Sequence, residues 1–490
     1  MRLLDLTGGV PGVQLVAPGD ATPDITAIRY RSADVGPGDL FACLPGTRAD
    51  GHDFAADAVA RGAAALLVQR PLALQVPQVV AADPRAAMAI MAARLAGDPS
   101  DHIDVVGITG TNGKTTCAYL MQSVLAATGR PCGLIGTVEA VVGGVSQVPT
   151  HTTPESVEIQ ALLAAMRNAG DTACAMEVSS HALHQGRVAG LRFAGAIFTN
   201  LTRDHLDYHG DEESYFQAKR LLFDRPEGHG ANPPAAVNVD DARGRRIADE
   251  LAVVRYGIDS PDADVAPEAL RMGPAGFTAT VRTPRGDMQV ASALRGRFNV
   301  MNVLGVIAVG EAMGLDQAAV AQGIQALRGV PGRLEPVEMG QPFQVLVDYA
   351  HTPDSLENVL QATRALAGDG RLIVLFGCGG DRDTGKRPQM GAIGRRLADV
   401  CIVTSDNPRS EDPSAIIDQI VAGAGDGPAD LVVQADRRAA IADAIALARP
   451  GDVVLIAGKG HESGQEAAGV VTPFDDRQVA RDVLGERRAA

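Results

Sequence analysis

The 490-residue chain has no tryptophan, and its aromatic share is only 3%. A core of that composition must be built from Ala, Val, Leu and Ile, which suits closely packed layers of helix and sheet. Six cysteines (43, 117, 132, 174, 378 and 401) are scattered, none in a C-x-x-C pair. That excludes a disulfide framework and a cysteine metal site, and fits a reducing cytoplasm. There is no apolar run of about 18 residues, so no transmembrane helix is expected. Asp5 follows Arg2 closely and Pro11 interrupts the apolar start, which does not read as a signal peptide. Positive charge is also in deficit: 44 Lys and Arg face 59 Asp and Glu, a net charge of −15. A nucleic-acid protein held by a basic surface is therefore excluded, although a local basic pocket for an anionic substrate is not. The acidic balance reads simply as solubility.

What is present is an ordinary globular mixture, 46% apolar and 21% charged, long enough for about three domains. Residues 1–100 alternate short apolar runs with Gly/Pro turns, and Gly97-Asp-Pro-Ser100 marks a boundary. Residues 103–200 give the clearest pattern. A β-rich run at 103–109 meets a Gly-rich turn and then a helix from about 114 to 128, whose Cys117, Leu120, Met121, Val124 and Leu125 share one face. Strands are expected at 133–138, 173–178 and 194–199. Pro331-Gly332 opens a third unit, 332–490, with strands at 345–347, 372–376, 400–404 and 453–456 between helices. Buried strands alternating with helices predict an α/β protein with parallel, doubly wound sheets. The Arg-rich end at 486–490 reads as a frayed terminus.

Gly110-Thr111-Asn112-Gly113-Lys114-Thr115-Thr116 lies between the expected strand and helix. Small residues let backbone N–H groups close on phosphate oxygens, the helix N-terminus adds positive potential, Lys114 reaches the outer phosphates and the Thr115 hydroxyl suits Mg²⁺. The usual first glycine is replaced by Ile108, so this is a variant loop. In this context it predicts nucleotide-phosphate binding, without choosing among kinase, motor, switch and ligase.

The whole loop resembles the ATP loop of the Mur ligase superfamily, which includes folylpolyglutamate synthase. Four further segments match in order: Met176-Glu-Val-Ser-Ser-His181, Thr199-Asn-Leu-Thr-Arg-Asp-His205, Gly296-Arg-Phe-Asn299 with Asn302, and Asp348-Tyr-Ala-His351. The resemblance runs from about residue 24 to 477. It is greatest to members that add the third residue of the peptidoglycan stem peptide, cytoplasmic enzymes of cell-wall synthesis. It implies three domains: a UDP-substrate domain at 1–100, a central ATP domain at 101–331 and a Rossmann-like amino-acid domain at 332–490. It also implies small-molecule substrates only and a monomer.

The resemblance carries residue roles position by position. Thr115, Glu177 and His205 become Mg²⁺ ligands, although histidine is an unusual choice for a hard cation. Lys219 falls in the apolar arc of Tyr215, Phe216, Leu222 and Phe223, which by itself predicts a desolvated, nucleophilic amine. The resemblance makes it a CO₂-derived carbamate (N6-carboxylysine) serving a second Mg²⁺; the alternative is a lysine snorkelling to water. Asn299, Asn302, Arg333, Asp348 and His351 take the nucleotide side. Thr152, Thr153, Ser179, Gln185 and Arg187 take the UDP-muramoyl dipeptide. Two places depart from the pattern: His151 stands where Asn is usual, and Arg31-Ser32-Ala33 keeps only Ser32 as a uridine contact. His181 and His184 are spaced for a metal pair, but a local hydrogen-bonded pair is the simpler reading.

Asp406-Asn407-Pro408-Arg409 marks the members of the family that use meso-diaminopimelate. Arg409 offers a planar fork for the distal carboxylate that lysine lacks, and would face a cation if lysine bound. Arg387, Gly458 and Glu462 match further contacts, Glu462 to an ammonium. Taken alone, D-N-P-R reads as a turn. The implied reaction is ATP-dependent amide formation through an acyl phosphate, with catalytic roles for Lys114, Lys219, Glu177 and His205. A lysine- or folate-using ligase, a P-loop switch or motor, and an inactive nucleotide-binding module are the rivals.

Overall fold

The computed structural model describes residues 1–17, 22–46, 49–149, 151–225, 231–273 and 275–489. The first sheet has five strands in the order Val13–Val16, Gln78–Ala81, Ala65–Val68, Asp39–Ala42, Ala27–Arg29, with only the first antiparallel. The helix Pro84–Leu95 packs on it, its entry fixed by Asp83, whose carboxylate caps Arg85 and Ala86 N–H.

The central sheet has eight strands, six of them parallel in the order Val254–Tyr256, Ala235–Asn238, Phe193–Phe198, Asp104–Thr109, Ala173–Glu177 and Cys132–Ile135, with an antiparallel hairpin beyond the last. The strand Asp104–Thr109 lies in the middle and ends at the phosphate-type loop. The helix Lys114–Ala127 follows that loop, and Gly129, at φ +79°, ends it. It packs with the helix Arg297–Ala312 in a core of Val, Leu, Ile and Ala, as the scarcity of aromatics requires.

The last sheet runs Glu335–Pro336, Gln344–Asp348, Val453–Ala457, Leu372–Phe376, Val400–Val403, Asp430–Val433, with five parallel strands and one short antiparallel edge. The helix Pro353–Ala367 begins with Thr352 as cap and proline in its first turn.

Three antiparallel pieces lie outside the parallel pattern read above. They are the edge hairpin Ala140–Val142 with Val145–Gln147, the three-stranded sheet Ala266–Gly273, Gly276–Arg282, Met288–Ser292, and the hairpin Gly464–Ala467 with Val470–Pro473. The chain end also differs from expectation. The helix Asp476–Ala489 continues through it, and Arg487 donates to Ala448 O at 3.3 Å; Ala490 lies outside the described residues.

Helix Asp476–Ala489 is tied to the sheet by a fully buried ion pair. Arg437 meets Asp476 at 2.8 and 2.7 Å and also donates to Ser405 O and Ala457 O, at the ends of two strands. Removing one partner strands a charge in the interior, a loss of about 3–5 kcal/mol. Asp476→Ala should therefore lower the urea midpoint of the C-terminal domain sharply. The paired change Arg437→Met with Asp476→Leu should recover much of the loss.

Candidate functional site

In parallel α/β sheets ligands bind beyond the carboxyl ends of the strands. Here those ends open into a cavity of about 790 Å³ shared by the central and C-terminal domains. From the central domain come Thr111–Thr116, Thr137, Thr152, Glu177, Ser179, Asp204, His205, Lys219 and Asn302. From the other side come Arg333, Asp348, Tyr349, His351 and Asp354.

The loop is shaped by two glycines. Gly110 has φ +150°, and a Cβ there would lie 1.8 Å from Thr199 Oγ1. Gly113 has φ +88°, and its Cβ would lie 2.4 Å from Asn302 Oδ1. Neither position admits a side chain without moving its neighbour.

Lys114 Nζ donates to Gly110 O and Thr111 O, each at 2.8 Å. Lys219 Nζ donates to the same Gly110 O at 2.8 Å and sits 4.4 Å from the Tyr215 ring centre. Lys219 is 1% exposed, so it does not snorkel. Burial pushes its amine well below the ordinary lysine range, and the Lys114 charge adds to the shift. Burial lowers Lys114 too, against the opposing pull of Glu177 and Asp204.

Glu177 is buried at the end of its strand. It accepts from Thr115 Oγ1 at 3.1 Å, from Thr137 Oγ1 at 3.0 Å and from Thr137 N at 2.8 Å. His205 adopts φ +54° and lies 3.4 Å from Asp204, while burial lowers its imidazole to about 4. Thr152, Ser179 and Asn302 also line the cavity.

Several expected ligand residues face inward instead. Asn299 does not line the cavity; its amide donates to Arg295 O at 2.7 Å, and its oxygen accepts from Asn302 at 3.0 Å. Thr153 is buried and bridges Glu177 O and Ser179 N. Gln185 and Arg187 bond each other, and Arg187 also holds Thr153 O and faces Glu155 at 3.2 Å. These residues position the ones that face the cavity. Ser32 is half-buried in the first domain at the start of a short 3-10 turn, outside the cavity lining.

On the far side, Arg333 stacks 4.6 Å over Tyr349 and donates to Thr115 Oγ1 at 3.1 Å. Asp348 accepts from Leu334 N and Ala350 N, both at 2.8 Å, while burial raises its carboxyl. His351 contacts Tyr349 O at 2.8 Å. Asn112 reaches across to Asp354 at 2.8 Å, joining the loop directly to the C-terminal domain.

In the amino-acid region, Arg409 has φ +52° and donates to Gly380 O at 2.7 Å. Gly458 leaves room for Asp406, whose Oδ2 would be 2.6 Å from a Cβ. Asn407 and Glu462 bond each other at 2.8 Å. Arg387 is fully buried: its guanidinium pairs with Glu411 at 2.8 and 2.9 Å and bonds Gln419 and Gly379 O, while its Nε has no hydrogen-bond partner among the described residues. These contacts anchor the segment around Glu411. A second hollow of about 360 Å³ lies between the domains and includes Arg203, Asp207, Asp381 and Arg382, which the sequence reading did not single out.

His181, His184, His205 and His209 cluster with Tyr208 and Tyr215, with ring centres 4.1–6.1 Å apart. Among the described residues no group of three or more His, Cys, Asp or Glu is arranged to hold a metal. His181 and His184 do not bond each other as a local pair; both pack on Tyr208, whose hydroxyl contacts His184 at 3.0 Å.

A glycine loop at the end of a parallel sheet, roofed by a second α/β domain, defines a nucleotide-using enzyme whose site forms between domains. Family models narrow this. "Mur ligase family, catalytic domain" matches residues 24–106, "Mur ligase middle domain" 108–310, and "Mur ligase, glutamate ligase domain" 332–460. The chain belongs to the Mur ligase family, whose members are ATP-dependent amide-forming enzymes. A UDP-N-acetylmuramoyl-L-alanyl-D-glutamate--2,6-diaminopimelate ligase of Streptomyces coelicolor is 48% identical over 96% of this chain and 94% of its own length. One of Geobacillus thermodenitrificans is 45% identical over the whole of both chains. A solved structure of a ligase of the same name superposes with a TM-score of 0.71 at 31% identity, covering 100% and 99% of the two chains. MurF of Acinetobacter baumannii shares the fold, with a TM-score of 0.65 at 20% identity, covering 93% and 94%.

Burial holds His181, His209 and His461 each at about 4, against an ordinary value of 6.5. Each is neutral when folded, whereas the unfolded chain takes up its proton below about 6.5. The unfolded state thus binds more protons between about 6.5 and 4, and stability falls as pH drops through that window. The urea midpoint should decrease steadily from pH 7 to pH 5.

Proposed function

We propose that the chain catalyses ATP-dependent addition of meso-2,6-diaminopimelate to the D-Glu of UDP-N-acetylmuramoyl-L-alanyl-D-glutamate, releasing ADP. Identity of 45–48% over nearly the full length to enzymes named for that reaction carries this reading. It takes residues 1–100 as the UDP-substrate domain, with Ser32 toward the uridine, 101–331 as the ATP domain and 332–490 as the amino-acid domain.

A carboxylate is a poor acyl donor at neutral pH. Transfer of the γ-phosphoryl group of ATP to the γ-carboxylate of D-Glu gives an acyl phosphate and ADP. Attack of the diaminopimelate amine on the acyl carbon then forms the amide and expels phosphate. Lys114 and the loop N–H groups hold the outer phosphates, and Arg333 approaches from the opposite domain. Asn302, Asp348 and His351 orient the nucleotide, while Thr152 and Ser179 face the dipeptide. Closing the domains excludes water from the acyl phosphate.

Thr115, Glu177 and His205 would be the donors for Mg²⁺, and their small number suits a cation that keeps several waters. When bound, it neutralises charge on the transferring phosphoryl group. Lys219, whose amine burial lowers well below the ordinary lysine range, is chemically suited to add to CO₂ and lose a proton, giving a carbamate anion. Arg409 pairs with the distal carboxylate of diaminopimelate, within a loop formed by Asp406, Asn407 and Pro408.

ADP release should require both the UDP-dipeptide and meso-diaminopimelate, with L-lysine a poor substitute. Arg409→Ala should raise the KM for diaminopimelate by about 10- to 100-fold, the worth of a charge-assisted hydrogen bond. ADP release indifferent to the dipeptide would refute the ligase reading. With ¹³C-bicarbonate, a carbamate carbon signal should appear in the wild type and vanish in Lys219→Ala; an unchanged spectrum would refute the carbamate.

A further inference from the structure

Lys459 is 0% exposed and lies between the two loops of the amino-acid region, yet neither the motif match nor the mechanism above gives it a role. An ammonium removed from water costs several kcal/mol unless it is paired and hydrogen-bonded. Its partners here are specific. Nζ donates to Asn407 Oδ1 at 3.0 Å and to Glu462 Oε2 at 3.1 Å. Asn407 Nδ2 closes the triangle on the same Glu462 oxygen at 2.8 Å. Asn407 Oδ1 also accepts from Glu466 N at 3.0 Å, so its carbonyl side is fully committed.

The two partners come from different strand ends. Asn407 follows the strand Val400–Val403, and Glu462 follows Val453–Ala457. Glu462 also interacts with the Tyr349 hydroxyl, and Tyr349 stacks under Arg333 in the nucleotide cavity.

We propose that Lys459 is a positioning residue for the incoming diamino acid. Its buried ammonium fixes the spacing of Asn407 and Glu462, and so the place where the substrate's ammonium and carboxylate are read. This rests on the reading that these loops hold diaminopimelate. Without Lys459, Glu462 loses its fixed cation and the Asn407 amide is free to rotate. The loss falls on the amino-acid half-site alone, because acyl-phosphate formation uses neither residue.

Two assays separate the halves of the reaction: the KM for each of the three substrates, and trapping of the acyl phosphate by hydroxylamine as a hydroxamate without diaminopimelate. Lys459→Met should raise the KM for meso-diaminopimelate by about tenfold or more, leaving the KM of ATP and dipeptide within about twofold and hydroxamate formation intact. Lys459→Arg keeps the charge, and thereby the fold, but spans the two acceptors differently; its KM for diaminopimelate should rise by about threefold to tenfold. Hydroxamate formation at the wild-type rate with an unchanged diaminopimelate KM in both variants would overturn the role of Lys459. Equal increases for all three substrates would overturn it too. A wild-type enzyme that makes no hydroxamate and does not use diaminopimelate would instead overturn the reading beneath it.

Discussion

Two lysine ammonium groups converge on one backbone carbonyl. Lys114 and Lys219 both donate to Gly110 O at 2.8 Å, in a place where burial lowers both amines. Like charges so close and so dry are tolerable only if anions share the site or if one lysine gives up its charge. Nearby, Glu177 lies on one side and Asp204 on another, and each pulls Lys114 back toward its charged form. Phosphate groups, and a carbamate on Lys219, would complete that balance. Around this point the fold needs glycine at 110 and 113, because the strand end, Thr199 and Asn302 press on the loop from both sides.

The same loop connects outward. Asn112 bonds Asp354 at the start of the C-terminal domain's first long helix, and Thr115 accepts from Arg333. Glu177 receives Thr115 and Thr137, and through Thr153 it is linked to Ser179 and Arg187. Arg187 faces Glu155, which also pairs with Arg85 of the first domain at 2.5 Å. The phosphate-type loop, the dipeptide side and the amino-acid side are therefore held by one polar network crossing all three domains. A polar network of this kind is valuable when satisfied and costly when broken.

Legibility in the sequence followed the physics of each signal. The strand Leu372–Phe376 and the helix beginning at Lys114 stood out because apolar runs and a 3.6-residue period are local signals. Lys219 was readable as buried because its apolar neighbours lie on one helical arc. The antiparallel sheet over 266–292 was missed, since an edge-exposed, alternating pattern between helices is weak against a parallel background. Motif matches gave positions but not directions: Asn299 and Thr153 stand at matched positions, yet their polar atoms are spent on neighbouring protein groups. Lys459 and Arg437 were invisible for the opposite reason. A charged residue in sequence reads as surface, and only the fold shows that both are buried and paired.

Lys114, on this reading, supplies the cation that binds the nucleotide phosphates. Calorimetric titration of a non-hydrolysable ATP analogue with Mg²⁺ into wild-type and Lys114→Met protein tests it most directly. The variant's Kd should weaken by at least about tenfold, the worth of one charge-assisted hydrogen bond to phosphate. An unchanged Kd would contradict it.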